Sequence, residues 1–148
     1  MESYLLAWII AGYHTEIDSF YKRGRKGYLF TVGDEPCLEE IYGEDLEKTL
    51  RYQKGASMIT ATEALQKARE QYQVFHIHIS DASHKLNRKS WENLVGPDNL
   101  MEAKSDEIAT TIARTIGKHY TPEGNDTKPA EENHEPAQGE QKPKFSML

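Results

Sequence analysis

Two short runs of β-branched and aromatic residues set the limits of the fold. Lys26–Val32 (KGYLFTV) and Val74–Ile79 (VFHIHI) read as strands, and most of the chain between them carries helical patterning. Strands that alternate with helices need crossovers, so they predict a parallel sheet with right-handed connections. Ahead of the first strand, Ser3–Tyr13 predicts a helix that is apolar almost all round and therefore buried. Asp18–Arg25 is polar and basic, and Gly33-Asp-Glu-Pro36 stops the first strand. Leu38–Tyr42 reads as one helical turn, Glu44–Tyr52 as a helix and Gly55–Ile59 as a loop. Thr60 with Glu63 three residues on is a capping box, and Ala61, Ala64, Leu65 and Ala68 follow it at helical spacing.

In the second strand, alternation sends Val74, His76 and His78 to one face and Phe75, Ile77 and Ile79 to the other. A polar loop, Ser80–Lys89, leads to a short helix over Trp91–Val95 and a third strand over Asn99–Ala103. Ser105 opens a last helix with Ile108, Ile112 and Ile116 on one face, and Gly117 is its expected stop. Three strands are few for a doubly wound sheet, where five or six are usual. The order opens on its most apolar helix, with no strand before it. The expected fold class is therefore α/β: a partial doubly wound, Rossmann-like and mostly parallel sheet with flanking helices.

The chain has 148 residues, enough for one domain. Only 37% of them are apolar and the mean hydropathy is −0.76, so part of the chain is expected to lie outside any core. That part is 121–148, which holds Pro122, Pro129, Pro136 and Pro143 and places its strongly apolar residues only at Phe145–Leu148. It reads as a disordered Pro/Glu-rich tail behind a domain spanning 1–120. The single cysteine, Cys37, excludes an internal disulfide and weakly favours a reducing, cytoplasmic setting. No apolar run is long enough to span a membrane. A net charge of −6 argues against a nucleic-acid partner.

Glu2-Ser-Tyr-Leu-Leu-Ala-Trp8, Lys22-Arg-Gly24, Lys26-Gly-Tyr-Leu-Phe-Thr-Val-Gly-Asp-Glu-Pro36 and Val74–Ile79 carry a further signal. Together they resemble the second half of a von Willebrand factor A-like domain of the intracellular bacterial and phage type, over residues 1–118. The resemblance implies a doubly wound sheet and, in many members, a divalent cation at the carboxyl ends of the strands. The family's ligands come from an Asp-x-Ser-x-Ser motif, a Thr or similar residue before a middle helix, and an Asp after a later strand. This chain lacks Asp-x-Ser-x-Ser. Its nearest string, Asp81-Ala-Ser-His-Lys85, has no second Ser and follows a different strand. Asp34 stands where the family's last Asp sits. The resemblance thus implies a non-enzymatic protein-interaction module with an incomplete site. Asp34, Glu35 and Ser3 would meet Mg²⁺ or Mn²⁺ only if a partner completed it. Glu2 and Trp8 of the apolar helix are the candidate partner contacts.

Other constellations compete. His76 and His78 share a strand face, and Asp81 or His84 would give a third zinc ligand for a small metallohydrolase. Packed and hydrogen-bonded core histidines explain the same spacing. Cys37 has no nucleophile signature beside it. Lys22-Arg-Gly-Arg-Lys26, between Tyr21 and Tyr28, is the one basic run; it suits phosphate or a solvated loop. A gene remnant without function is the third reading.

Overall fold

The computed structural model describes residues 3–50, 58–82 and 88–120, with only the backbone of 47–50. Glu2, His84 and the expected tail at 121–148 lie outside the described residues. Strand β1 (Gly27–Gly33) is followed by β2 (Glu40–Tyr42), β3 (Met58–Thr60), β4 (Tyr72–Ile79) and β5 (Leu100–Ala103). The main sheet runs β1-β4-β5 and is parallel throughout. It is the core of a partial doubly wound α/β fold. Its register sets Leu29 beside Val74, Thr31 beside His76, and His76 beside Leu100.

Helices cover both faces, unequally. On the first face lie α1 (Tyr4–Ile9), α4 (Ala61–Gln71) and α5 (Arg88–Val95). Tyr4, Leu5, Trp8, Ile9, Ala64, Leu65, Ala68 and Trp91 pack there over Val74 and Leu100. The second face meets α6 (Ile108–His119), whose His119 ring lies 5.1 Å from Phe75. Phe75 in turn stacks on Phe30 of β1 at 5.1 Å. Among the described residues there are also two short helices, α2 (Asp18–Tyr21) and α3 (Gly43–Leu50). Among the described residues, no helix is long and apolar enough to cross a membrane.

Local chemistry explains the element ends. The α4 capping box forms in full: Glu63 N–H donates to Thr60 Oγ1 at 3.2 Å, and Thr60 N–H donates to Glu63 Oε2 at 2.8 Å. Helix α5 ends at Gly96, whose φ of 88° suits glycine, and Asn99 Nδ2 donates to the freed Val95 carbonyl at 2.9 Å.

Four expectations change. Leu38–Tyr42 is no helical turn, and the expected loop Gly55–Ile59 enters a strand. Glu40–Tyr42 and Met58–Thr60 form a two-stranded antiparallel ladder, with buried Ile41 opposite buried Ile59. Each run has three residues, too short to carry a period, and only the long-range pairing defines it. The first helix does not run evenly to Tyr13. It passes into a π-helical turn, Ile10–His14. Gly117 does not stop α6. It lies inside the helix, with nothing within 4 Å of the place a Cβ would take, and the helix continues to His119. The basic stretch after Asp18 opens with one helical turn, held by Lys22 N–H donating to the Asp18 carbonyl at 2.9 Å.

Candidate functional site

Parallel strands end together, so the residues that follow them gather at one edge of the sheet. Gly33 faces His78 and Ile79 faces Ala103, which sets the three ends level. Asp34 and Glu35 follow β1, Ser80 and Asp81 follow β4, and Lys104 and Ser105 follow β5. Open α/β sheets bind ligands in this position.

Asp34 and Glu35 are half-buried at that edge. In the loop behind them, the Cys37 sulfur meets the backbone amide of Leu5 in the first turn of α1. The N-terminus of α1 therefore adjoins the loop that leaves β1. Ser3 occupies the N-cap of that helix, and its side chain makes no capping hydrogen bond. Burial pushes the Cys37 thiol up to about 12, so it stays neutral at ordinary pH. A shallow groove nearby runs between this loop, the start of α4 and α5, with Trp91 and Leu94 in its wall.

Asp81 is engaged elsewhere. Its Oδ1 accepts from Ser105 N–H at 3.0 Å and Ser105 Oγ at 2.9 Å, tying the end of β4 to the turn that starts α6. The Ser105 hydroxyl bond holds its carboxyl below the usual carboxylate range.

His76 and His78 are both buried on the first face, as alternation requires. The His76 ring lies flat on Trp91, with centroids 3.6 Å apart, and edge-on to Tyr4 at 5.1 Å. Its Nδ1 is 3.0 Å from Thr31 Oγ1, and that hydroxyl donates to the Phe75 carbonyl at 3.3 Å. A hydroxyl has one proton, so we assign His76 Nδ1–H as the donor to Thr31. The unpartnered Nε2 is then a bare lone pair, which costs less when buried than an orphaned N–H. Burial, helped by the neighbouring His78, pushes the His76 pKa down to about 3. His78 Nδ1 also has no partner among the described residues.

The pair does not assemble a metal cage. Among the described residues, no three His, Cys, Asp or Glu side chains come together. Asp81, the expected third zinc ligand, is committed to Ser105. At the strand end, Asp34 and Glu35 bring two carboxylates, and no third His, Cys, Asp or Glu side chain groups with them among the described residues.

Trp8 is fully buried and stands edge-on to Trp91 at 6.3 Å, so it belongs to the core and presents nothing to a partner. In the basic run, Lys22 pairs with Asp18 at 2.6 Å and Lys26 Nζ donates to the Arg69 carbonyl at 2.7 Å. Thr31, Tyr4 and Trp91, which hold His76, were not singled out from the sequence. Only the β1–β4 register and the helix packing bring them to the imidazole. Compared with family models, curated proteins and solved structures, the chain matches none of them, and its site is read from its own geometry.

Proposed function

We propose that this chain is a non-enzymatic protein-interaction module, similar to the later half of a von Willebrand A-like domain, that contacts its partner through the β1 side of the sheet. The observation that supports this is the position of β1. It is seven residues long, it pairs with β4 along its whole length, and no described strand pairs with its other side. An edge strand normally carries a charge, a proline or a bulge against unwanted pairing. GYLFTVG has neither charge nor proline, and its register with β4 shows no bulge. Asp34 and Glu35 stand at the end of this same strand. A partner that adds to the edge therefore also arrives beside the two carboxylates.

Hydrogen exchange of the dilute purified chain tests this reading. The β1 amides that point away from β4 should exchange far faster than the amides of β4. Equal protection of both strands in a monomer would show that the edge is already covered, and would end the proposal. Tight Zn²⁺ binding that is lost in His76→Ala and His78→Ala would instead favour a hydrolase built on the two histidines.

A further inference from the structure

The β1 strand and its flanks are complementary to themselves. The sequence around Phe30 reads Arg25-Lys-Gly-Tyr-Leu-Phe30-Thr-Val-Gly-Asp-Glu35. Both basic residues precede the strand and both acidic residues follow it. We propose that the partner at this edge is a second copy of the chain, paired antiparallel through β1 about a two-fold axis at Phe30. The proposal rests on the reading of the β1 edge as the interaction surface, and names its occupant.

The register follows from charge and side-chain type. With Phe30 opposite Phe30 of the second copy, Lys26 faces Asp34 and Arg25 faces Glu35 on both sides of the axis. Between them, Tyr28 faces Val32, an aromatic and β-branched pair of the kind that stabilises antiparallel ladders. A slip of two residues sets Lys26 against Val32 in one direction or Asp34 against Tyr28 in the other. Either leaves a charge over an apolar side chain. A parallel copy in register sets like charges against each other. The antiparallel arrangement is also closed: a two-fold contact uses the same strand in both copies, so no third copy joins at β1.

The surroundings are compatible. Lys26 is exposed, and its bond to the Arg69 carbonyl leaves its positive charge unneutralised. Arg25, Asp34 and Glu35 are half-buried, so each retains exposed surface. Tyr28 and Phe30 share the α6 face of the sheet, where both rings stack on Phe75. A two-fold axis perpendicular to the sheet joins these rings to their copies on one side. The product is a continuous sheet of β5-β4-β1 and its mirror order, as wide as an ordinary doubly wound sheet.

Light scattering over a concentration series, combined with hydrogen exchange, tests the proposal. The wild-type chain should reach twice its 16.9 kDa, and protection of the outward β1 amides should rise with concentration. Two charge variants sharpen the test. R25E/K26D makes both flanks acidic and D34K/E35R makes both basic, so each should be monomeric alone. An equimolar mixture should recover the dimer, because every facing pair is then opposite in charge. Circular dichroism of each variant confirms folding. If a variant does not fold, the wild-type exchange data decide. A dimer whose β1 exchange ignores concentration would overturn the proposal, as would folded variants that stay monomeric when mixed. A wild-type monomer with a fast-exchanging β1 edge would overturn self-pairing and keep the interaction reading. A monomer with a protected edge would overturn both.

Discussion

His76 couples the core of this protein to pH. Its ring is fully buried between Trp91, Tyr4 and Thr31, and burial lowers its pKa from 6.5 to about 3. In the unfolded chain the imidazole takes a proton as pH falls through 6.5. The folded chain does not take it until about pH 3. Between those values the unfolded state binds more protons, so stability rises with pH through this window and is lost on acidification. Above 6.5 the residue adds no pH dependence. The full difference is on the order of 5 kcal/mol, a large part of a typical domain's stability. Urea unfolding of the wild-type chain at neutral and mildly acid pH should show this loss. His76→Phe keeps the stack on Trp91 and removes the titration, at a cost of about 1 kcal/mol for the bond to Thr31. Its stability should fall less steeply over the same range. An equal acid slope in both proteins would mean that His76 is not the group responsible.

At the scale of elements, Gly12 decides how two helices meet. A Cβ at this position would lie 2.8 Å from the backbone N of Ala68 and 2.9 Å from the backbone carbon of Lys67. Intrinsic propensity favours alanine over glycine in a helix by about 1 kcal/mol. Here the obstruction is the α4 backbone, which has no rotamer to change, and overpacking of this kind costs about 1–3 kcal/mol. Gly12→Ala should therefore destabilise the protein in chemical denaturation. A gain in stability would show that the helices separate freely. The same position explains what the sequence could convey. Strands β1 and β4, the α4 capping box, α5 and the brief β5 were legible because each rests on a local pattern or a three-residue spacing. The β2–β3 ladder was not, since Ile41 and Ile59 acquire meaning only as partners. The π-helical turn was not, because Gly12 announces a weak helix residue and says nothing of Ala68 across from it. At the strand end, the position of Asp34 was legible because Gly33-Asp-Glu-Pro36 stops β1. The capture of Asp81 by Ser105 was not, since it depends on how far the turn after β5 reaches back.

Over the whole molecule, the two faces of the sheet differ in how firmly they are closed. On the first face, Trp8, Leu5, Ile9, Leu65 and Trp91 are each at most 2% exposed. On the second, α6 lays Ile108, Ile112 and Ile116 across the sheet half-buried, and Thr115 is its buried residue. Burial stabilises in proportion to the apolar area removed from water. The first face therefore carries most of the folding free energy, and α6 is held by a thinner layer. Trp8→Ala should cost about 3–5 kcal/mol, enough to threaten the whole fold, because it opens a cavity against Trp91. Ile112→Ala should cost about 1–2 kcal/mol, since its side chain keeps part of its surface in water. Elements closed by few buried contacts open in sub-global steps, ahead of the rest. Native-state hydrogen exchange in low denaturant should thus release the α6 amides at a lower free energy than those of β4. Ile112→Ala should lower the α6 value alone, whereas Trp8→Ala should lower both. Release of α6 and β4 at one common free energy would show that the thin face is as cooperative as the thick one. In that case Phe75, between Phe30 and His119, would be what fastens α6 to the sheet.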